Sequence, residues 1–530
     1  MAFMIVVRTL RERWWKMIAM TESRRLVLGV GRKSVATACF AWIIATPCGA
    51  QMLDPFVQAG LDEEAGIVTT SHEIVLDGST VTYTARAGHI PIRDNATGRA
   101  HGMMFFISYS LERESAQARP ITFLWNGGPG SSSSLVHLSG FGPKRLDSSG
   151  VAVVNDGTWL EFTDLVFVDP IGTGYSRPTK PDYGAEFYQD RGDAESVAEF
   201  VRVFLTRADA WDAPLFLAGE SFGVLRATRV GDVLRRRSVA VAGLMHIGLV
   251  PPLATISEEV SIALTIPTYA AAAMYHGRLD GNFETMLVEA TRWALQDYAP
   301  VLAQLDEGVS ASERARVRAD LSRFTGVSPT AVDSTLVLGM GPFSEWLLRE
   351  DGFVVGRYDS RLTGLLDTTQ VMYDPTSDPS LRDIIDDVGV VRYMREELGF
   401  RSDLQYQGPF GGGYPSPNSF RGDWMSVLWD QSETSRAAVD DRSMDATPAV
   451  ERVLKADRDL RIYVACGYFD LICPYSAIDH MIEIMDPSLA NRITVRTYHG
   501  GHAIYTDDAA RLQMRADVEA FVRARTGRLP

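Results

Sequence analysis

The chain has 530 residues, of which 46% are apolar and 22% charged, a balance that excludes disordered and fibrous classes. Its formal net charge of −15 argues against nucleic acid or an anionic membrane surface as a partner. No internal repeat or low-complexity tract is visible, so the length implies one large domain with an insertion, or two domains.

The first 50 residues stand apart. They carry eight Lys/Arg against only Glu12 and Glu22, and the basic part leads into "SVATACFAWIIATPCGA". That order, basic then apolar then small, reads as a secretory signal with cleavage near Ala50, and a buried N-terminal helix is the competing reading. The apolar run Ser34–Ala45 is short for a membrane span, so no stable anchor is expected. The late start of that run suggests translation from Met17 or Met20. "SRRLVLG" is similar to a twin-arginine export signal, although Val27 stands where Phe is usual. Cys39 and Cys48 would leave with the signal. Cys466 and Cys473 would remain, either paired in an oxidising compartment or buried as free thiols. The sequon Asn95-Ala96-Thr97 carries weight only in a glycosylating host.

From His72 to about Leu111, alternating segments such as "HEIVLDGSTVTYTARAG" and "MMFFISYSL" predict antiparallel strands joined at "DG" and "DNATG". Apolar strands then alternate with helical stretches: "ITFLW", "DLVFVDP", a helix over 190–209, "PLFLAGE", the helix "FGVLRATRVGDVLRRR" and "VAGLMHIGLVPP". This alternation predicts a parallel sheet covered on both faces. It lapses from about Ala254 to Pro448, where "YAAAAMYHGRL", "ASERARVRADLSRF" and "SLRDIIDDVGVVRYMREELG" predict a mainly helical lid. "RIYVACG", a helix over 477–485, "ITVRTY" and a last helix over 507–525 then resume the pattern. The expected organisation is a signal (1–50), a first core part with an N-terminal β segment (51–253), a lid (254–448) and a second core part (449–530).

Within "PLFLAGESFGVLRATRV" a strand runs through Gly-x-Ser-x-Gly into a helix. A sharp turn of this kind lifts the Ser221 hydroxyl clear of the sheet, with Gly219 and Gly223 relieving the crowding. A purely structural turn would not need a serine. A nucleophilic serine needs a base, and the base an orienting acid. Asp470 in "ACGYFDLICPY" and His502 in "YHGGHAIY" each follow a predicted strand, and the order Ser, Asp, His is that of the α/β-hydrolases. His499 sits at a strand end and is the weaker candidate base. The glycines of "FLWNGGPGSSSS" can turn backbone N–H groups toward an oxyanion, which makes the amides of Gly128 and Phe222 the expected pair. No G-K-[ST] follows that loop, so a phosphate cradle is disfavoured. The absence of H-E-x-x-H and C-x-x-C gives no reason to expect a catalytic metal or other cofactor.

With these residues in view, the chain resembles the serine carboxypeptidase family, in its bacterial branch. The resemblance rests on "WNGGPGSSS" (125–133), "DPIGTGYS" (169–176), "GESFG" (219–223), "YFDLICP" (468–474) and "GGHA" (500–503), in the family's order. It implies an α/β-hydrolase fold and removal of residues from the free C-terminus of peptides. It also implies that Asn126 and Glu220 bind the substrate's terminal carboxylate, which requires a protonated Glu220 because two carboxylates repel. On the residues alone, Glu220 reads equally as a salt-bridged or solvated acid at a helix start. Two positions depart from the family pattern: Gly140 stands where eukaryotic members place a second glutamate, and Leu124 where they place a tryptophan. Several relatives are dimers, so a homodimer is open. An esterase or acyltransferase on the same frame is the alternative function, and a binding protein with a residual triad is the non-enzymatic one. Tyr414, Phe420 and Trp424 are read either as pocket residues or as lid anchors.

Overall fold

A computed structural model of the chain describes residues 66–76, 78–111, 118–128, 130–188, 190–248, 256–306, 308–367, 378–382, 384, 387–409 and 447–527. The expected export signal with Cys39 and Cys48, and the aromatics Tyr414, Phe420 and Trp424, lie outside these residues.

The chain enters through three long antiparallel strands, β1 (Val68–Leu76), β2 (Ser79–Arg93) and β3 (Ala100–Leu111). It then alternates strand and helix: β4 (Ile121–Trp125), β5 (Asp164–Val168), α1 (Asp190–Arg207), β6 (Leu215–Glu220), α2 (Gly223–Arg236) and β7 (Gly243–Ile247). An intervening segment carries α3 (Ile266–Tyr275), α4 (Phe283–Trp293), α5 (Ala311–Thr325), the hairpin β8 (Phe353–Val355) and β9 (Thr363–Leu365), and α6 (Asp387–Glu396). The alternation resumes with β10 (Arg461–Gly467), α7 (Tyr475–Ile484), β11 (Ile493–Tyr498) and α8 (Asp508–Thr526).

One mixed sheet runs in the order β1-β2-β3-β5-β4-β6-β7-β10-β11. The antiparallel strands join it where β3 pairs with β5, and every later neighbour is parallel. The strands after the intervening segment therefore complete the sheet begun before it.

The parallel strands are short apolar runs because both faces are covered. Every residue of β4, β6 and β7 is buried. Leu215 and Leu217 face one core with α1 and α2, while Phe216 and Ala218 face the other with Met514, Val518 and Val522 of α8. This alternation is the period of two that a strand imposes. Burying a side chain such as Leu217 stabilises the fold by about 1.5–3 kcal/mol.

The chain leaves β4 for β5 on one side and returns to β6 on the other. Ligands bind at such a reversal, outside the carboxyl ends of the strands, because the two loops diverge there and open a crevice. Trp125, Glu220, Ile247, Gly467 and Tyr498 mark that edge.

Among its described residues the intervening segment is mainly helical, with α5 capped by Ser310 accepting from Glu313 N and ended at Gly326 in the left-handed region. The hairpin β8–β9 is not anticipated by the sequence reading. Each of its strands has only three residues, too few to show a period.

Candidate active site

Ser221 follows β6 directly and has φ +55°, a conformation that L-residues with a side chain rarely adopt. Strain of this kind costs about 1–3 kcal/mol and persists only where the surroundings impose it. Here they do. Ser221 N donates to Ile247 O of the next strand (2.8 Å). A Cβ at Gly219 would collide with Gly223 O, and one at Gly223 would sit 2.9 Å from Asn126 O and from the Trp125 ring. The glycine spacing thus lets strand, turn and helix cross at backbone contact. The loop after β4 closes on the same turn: a Cβ at Gly127 would lie 2.5 Å from Phe222 N and 2.8 Å from Ser221 Cβ. Gly128 has φ +101°. The glycine loop is itself held by the "DPIGTGYS" loop, where Asp169 Oδ1 accepts Ser133 N–H (2.7 Å) and Ser176 Oγ donates to Asp169 O (2.6 Å).

Asp470 lies beyond β10 and His502 beyond β11, both buried. Asp470 Oδ1 accepts the N–H groups of Ile472 (2.9 Å) and Cys473 (3.1 Å), and Oδ2 lies 2.7 Å from His502 Nδ1. An Nδ1–H held by a carboxylate leaves Nε2 as the acceptor of the neutral ring. Nε2 is buried without a hydrogen-bond partner. Burial disfavours the imidazolium, yet the Asp470 charge and hydrogen bond hold the His502 pKa well above the ordinary histidine value. Gly248, next to the Ile247 carbonyl that anchors Ser221, has its Cβ position 3.3 Å from the His502 ring. Serine and histidine therefore flank the same strand end.

Glu220 and Asn126 form a buried pair beside them. Asn126 Oδ1 accepts Val136 N–H (3.0 Å), and this orients the amide so that Nδ2 donates to Glu220 Oε2 (2.9 Å). The Gly127 amide donates to the same oxygen (3.4 Å). Glu220 Oε1 lies 3.6 Å from His502 Nε2, which is proximity rather than a hydrogen bond. Burial raises the Glu220 pKa; His502, Asn126 and the Gly127 amide pull it back only in part, and Asp470 pushes it further up. Glu220 is thus neither solvated nor matched to an arginine. The nearby Arg226 pairs with Asp193 (2.7 Å) and donates to Asn126 O (3.0 Å).

Sequence reasoning missed the loop between β8 and β9. Tyr358 O accepts His502 N–H (2.6 Å), Arg357 O accepts Leu471 N–H (3.0 Å), and Ser360 donates through N and Oγ to Phe469 O (2.9 and 3.0 Å). One short segment therefore holds the acid loop and the base loop together. Arg361 pins it by pairing with Asp359 (2.7 Å) and Asp507 (2.9 Å). Tyr358 also sets its ring edge-on to His502, 5.5 Å between centroids. Side-chain pattern gives no signal for contacts made mostly by backbone groups. Tyr505, three residues past His502 and 3.4 Å from Asn126 Nδ2, was within reach of the motif and was also missed.

His499 packs its ring against Phe283, Tyr468 and Phe469, away from the acid. Cys466 and Cys473 are both buried free thiols. Asp470, Cys473 and His502 bring potential ligand atoms within 4.8 Å of one another. They are engaged with each other, however: both Asp470 oxygens accept hydrogen bonds, and burial holds the Cys473 thiol up at about 11. That donor set fits an acid–base pair better than a resident cation.

Residues 77–225 match the family described as serine carboxypeptidase. The pheromone-processing carboxypeptidase kex1 of Schizosaccharomyces pombe is 35% identical over 173 residues, 32% of this chain and 32% of that protein. The pheromone-processing carboxypeptidase of Tuber melanosporum is 32% identical over 154 residues, 29% of this chain and 23% of its own length. The chain thus spans about a third or less of the length of these serine carboxypeptidases. Among solved structures, the prohormone-processing carboxypeptidase Kex1(delta)p of Saccharomyces cerevisiae superposes with a TM-score of 0.51 at 17% identity, over 84% of this chain and 91% of that one. At that identity the likeness concerns the fold, which is that of the α/β-hydrolases. No helix among the described residues is long and apolar enough to cross a membrane.

Proposed function

We propose that the protein is an exported serine carboxypeptidase that releases the last residue of peptides through Ser221, His502 and Asp470. The observation that carries this reading is the buried Asn126–Glu220 pair, hydrogen-bonded at 2.9 Å, whose carboxyl member directly precedes Ser221 in the chain. An amide donor beside a carboxyl whose protonated form burial favours suits an incoming carboxylate. A general esterase has no use for it.

The reaction follows from the geometry. The substrate's terminal carboxylate accepts from Asn126 Nδ2 and from protonated Glu220, which sets the last peptide carbonyl over Ser221. Ser221 Oγ attacks the carbonyl carbon as its proton passes to His502 Nε2, and Asp470 stabilises the imidazolium. The amides of Gly128 and Phe222 take the oxyanion. When the C–N bond breaks, His502 returns the proton to the departing amine. Water then attacks the acyl-enzyme, again through His502, and frees Ser221. Residues 254–448 act as a lid over this edge, and the basic, then apolar, N-terminus directs export.

The test uses an N-blocked dipeptide against the same dipeptide amidated at its C-terminus, from about pH 4 to 8, a span chosen to cover a raised carboxyl pKa. Ser221→Ala is the control. Cleavage of the free acid alone, lost at high pH as Glu220 gives up its proton, is the expected result. Equal cleavage of both, or of esters only, would overturn the reading and leave an esterase or acyltransferase.

A further inference from the structure

We infer that Tyr505 is a third carboxylate-binding residue, its phenol donating to the substrate's terminal carboxylate beside Asn126 and Glu220. The inference rests on the carboxypeptidase reading and deepens it by naming a specificity-determining side chain.

The geometry begins at Asn126. With Oδ1 committed to Val136 N–H, its amide turns both hydrogens inward, one to Glu220 Oε2 (2.9 Å) and one, at the longer distance of 3.4 Å, to Tyr505 Oη. Tyr505 is therefore the acceptor in that contact. Its own proton meets no acceptor among the described residues, although the side chain is 1% exposed. Buried hydroxyls ordinarily use their proton, and one left over points to a partner that arrives with a ligand. The partner that fits is anionic, because the amide N–H₂ already present, and a carboxyl whose protonated form burial favours, also offer hydrogens.

The ring is placed for this role by its packing. It stands edge-on to Phe141, 5.1 Å between centroids, and lies over Gly140, where a Cβ would be 3.2 Å from Tyr505 Cδ2. Any side chain at position 140 would shift the ring. Tyr505 also forms part of the wall of a cavity of about 1340 Å³, with Tyr358, Gly501 and Ala503. Burial and the neighbouring Glu220 raise the phenol's pKa, so it stays a donor across the working range. Glu220 donates only while protonated. Tyr505 thus supplies a hydrogen bond to the carboxylate that does not depend on pH.

The experiment compares wild type, Tyr505→Phe and Gly140→Ala on the N-blocked dipeptide as free acid and as methyl ester, with melting temperatures as a fold check. Tyr505→Phe is expected to raise KM for the free acid about tenfold, the loss of one hydrogen bond to a charged group, and to leave ester turnover within about twofold. Gly140→Ala keeps the hydroxyl but displaces the ring, and is expected to lower the free-acid preference about threefold. An unchanged preference in both variants would overturn the inference while leaving the carboxypeptidase reading intact. Equal losses on acid and ester would also overturn it, because a merely structural ring affects both. A wild type with no preference for the free acid would sink both proposals together.

Discussion

The turn at Ser221 and the segment Arg357–Arg361 both hold proposed catalytic groups, and they do so in opposite ways. The turn is local. Its strain is contained by Gly219, Gly223 and Gly127, each placed where a Cβ would strike a neighbouring backbone or the serine itself. The segment is remote, more than 100 residues from Asp470 and His502 in the chain, and it works through carbonyls and amides that almost any residue could supply. Backbone crossings leave a readable signature because only glycine satisfies them. Support by backbone hydrogen bonds leaves almost none.

The first prediction tests the motif side of this comparison. Asp470→Asn keeps the shape but loses the charge that holds the Nδ1 proton and stabilises the imidazolium. kcat on the free-acid dipeptide is expected to fall about 10⁴-fold with little change in melting temperature. A loss under about tenfold would mean that His502 does not work through Asp470.

Gly501→Ala tests the remote side. The new Cβ would strike Tyr358 O and lie 2.5 Å from Asp359 Cβ, forcing the segment off the His502 loop. Overpacking of this kind costs about 1–3 kcal/mol of stability. Displacing His502 by the order of 1 Å is expected to cost about 10²-fold in kcat. Full activity in a destabilised protein would show that the segment only braces the fold.

A pH profile separates Glu220 from His502 by sign. Glu220 has a raised pKa, so its donor form exists at low pH and carboxylate binding is lost as pH rises through that value. His502 also has a raised pKa, so the neutral base appears only as pH rises. The two together give kcat/KM for the free acid a bell shape whose limbs belong to the cluster as a whole. Glu220→Gln donates at every pH, and its profile should keep the rising limb and lose the falling one. Retention of the falling limb would assign it to another group.

The smallest effect is expected from Ser360→Ala, which removes the 3.0 Å bond to Phe469 O but leaves the backbone bond to the same oxygen. A stability loss of about 1 kcal/mol by denaturant unfolding, with kcat nearly unchanged, would show that the backbone bond carries the positioning.

The β–α alternation, the strand-end placement of Ser221, Asp470 and His502 and the resemblance at "WNGGPGSSS" were legible along the chain. Apolar runs bounded by turns announce buried parallel strands, and each proposed triad residue sits just past one. The hairpin at 353–365 was not legible, because three-residue strands show no period. Nor was the placement of Tyr505, although it lies three residues from His502. Nothing in "GGHAIY" says that its ring will lie over Gly140 or that its hydroxyl will reach Asn126, 379 residues away.

By itself the sequence determined the order of elements, the class of sheet and the presence of a serine, an acid and a histidine at strand ends, because hydrophobic period and glycine placement are local properties. Only the tertiary structure decided which carboxyl is buried against an amide, which loop braces the histidine and which phenol reaches that amide. Those depend on groups far apart in the chain meeting in a low-dielectric interior, where each must find a partner or change its proton.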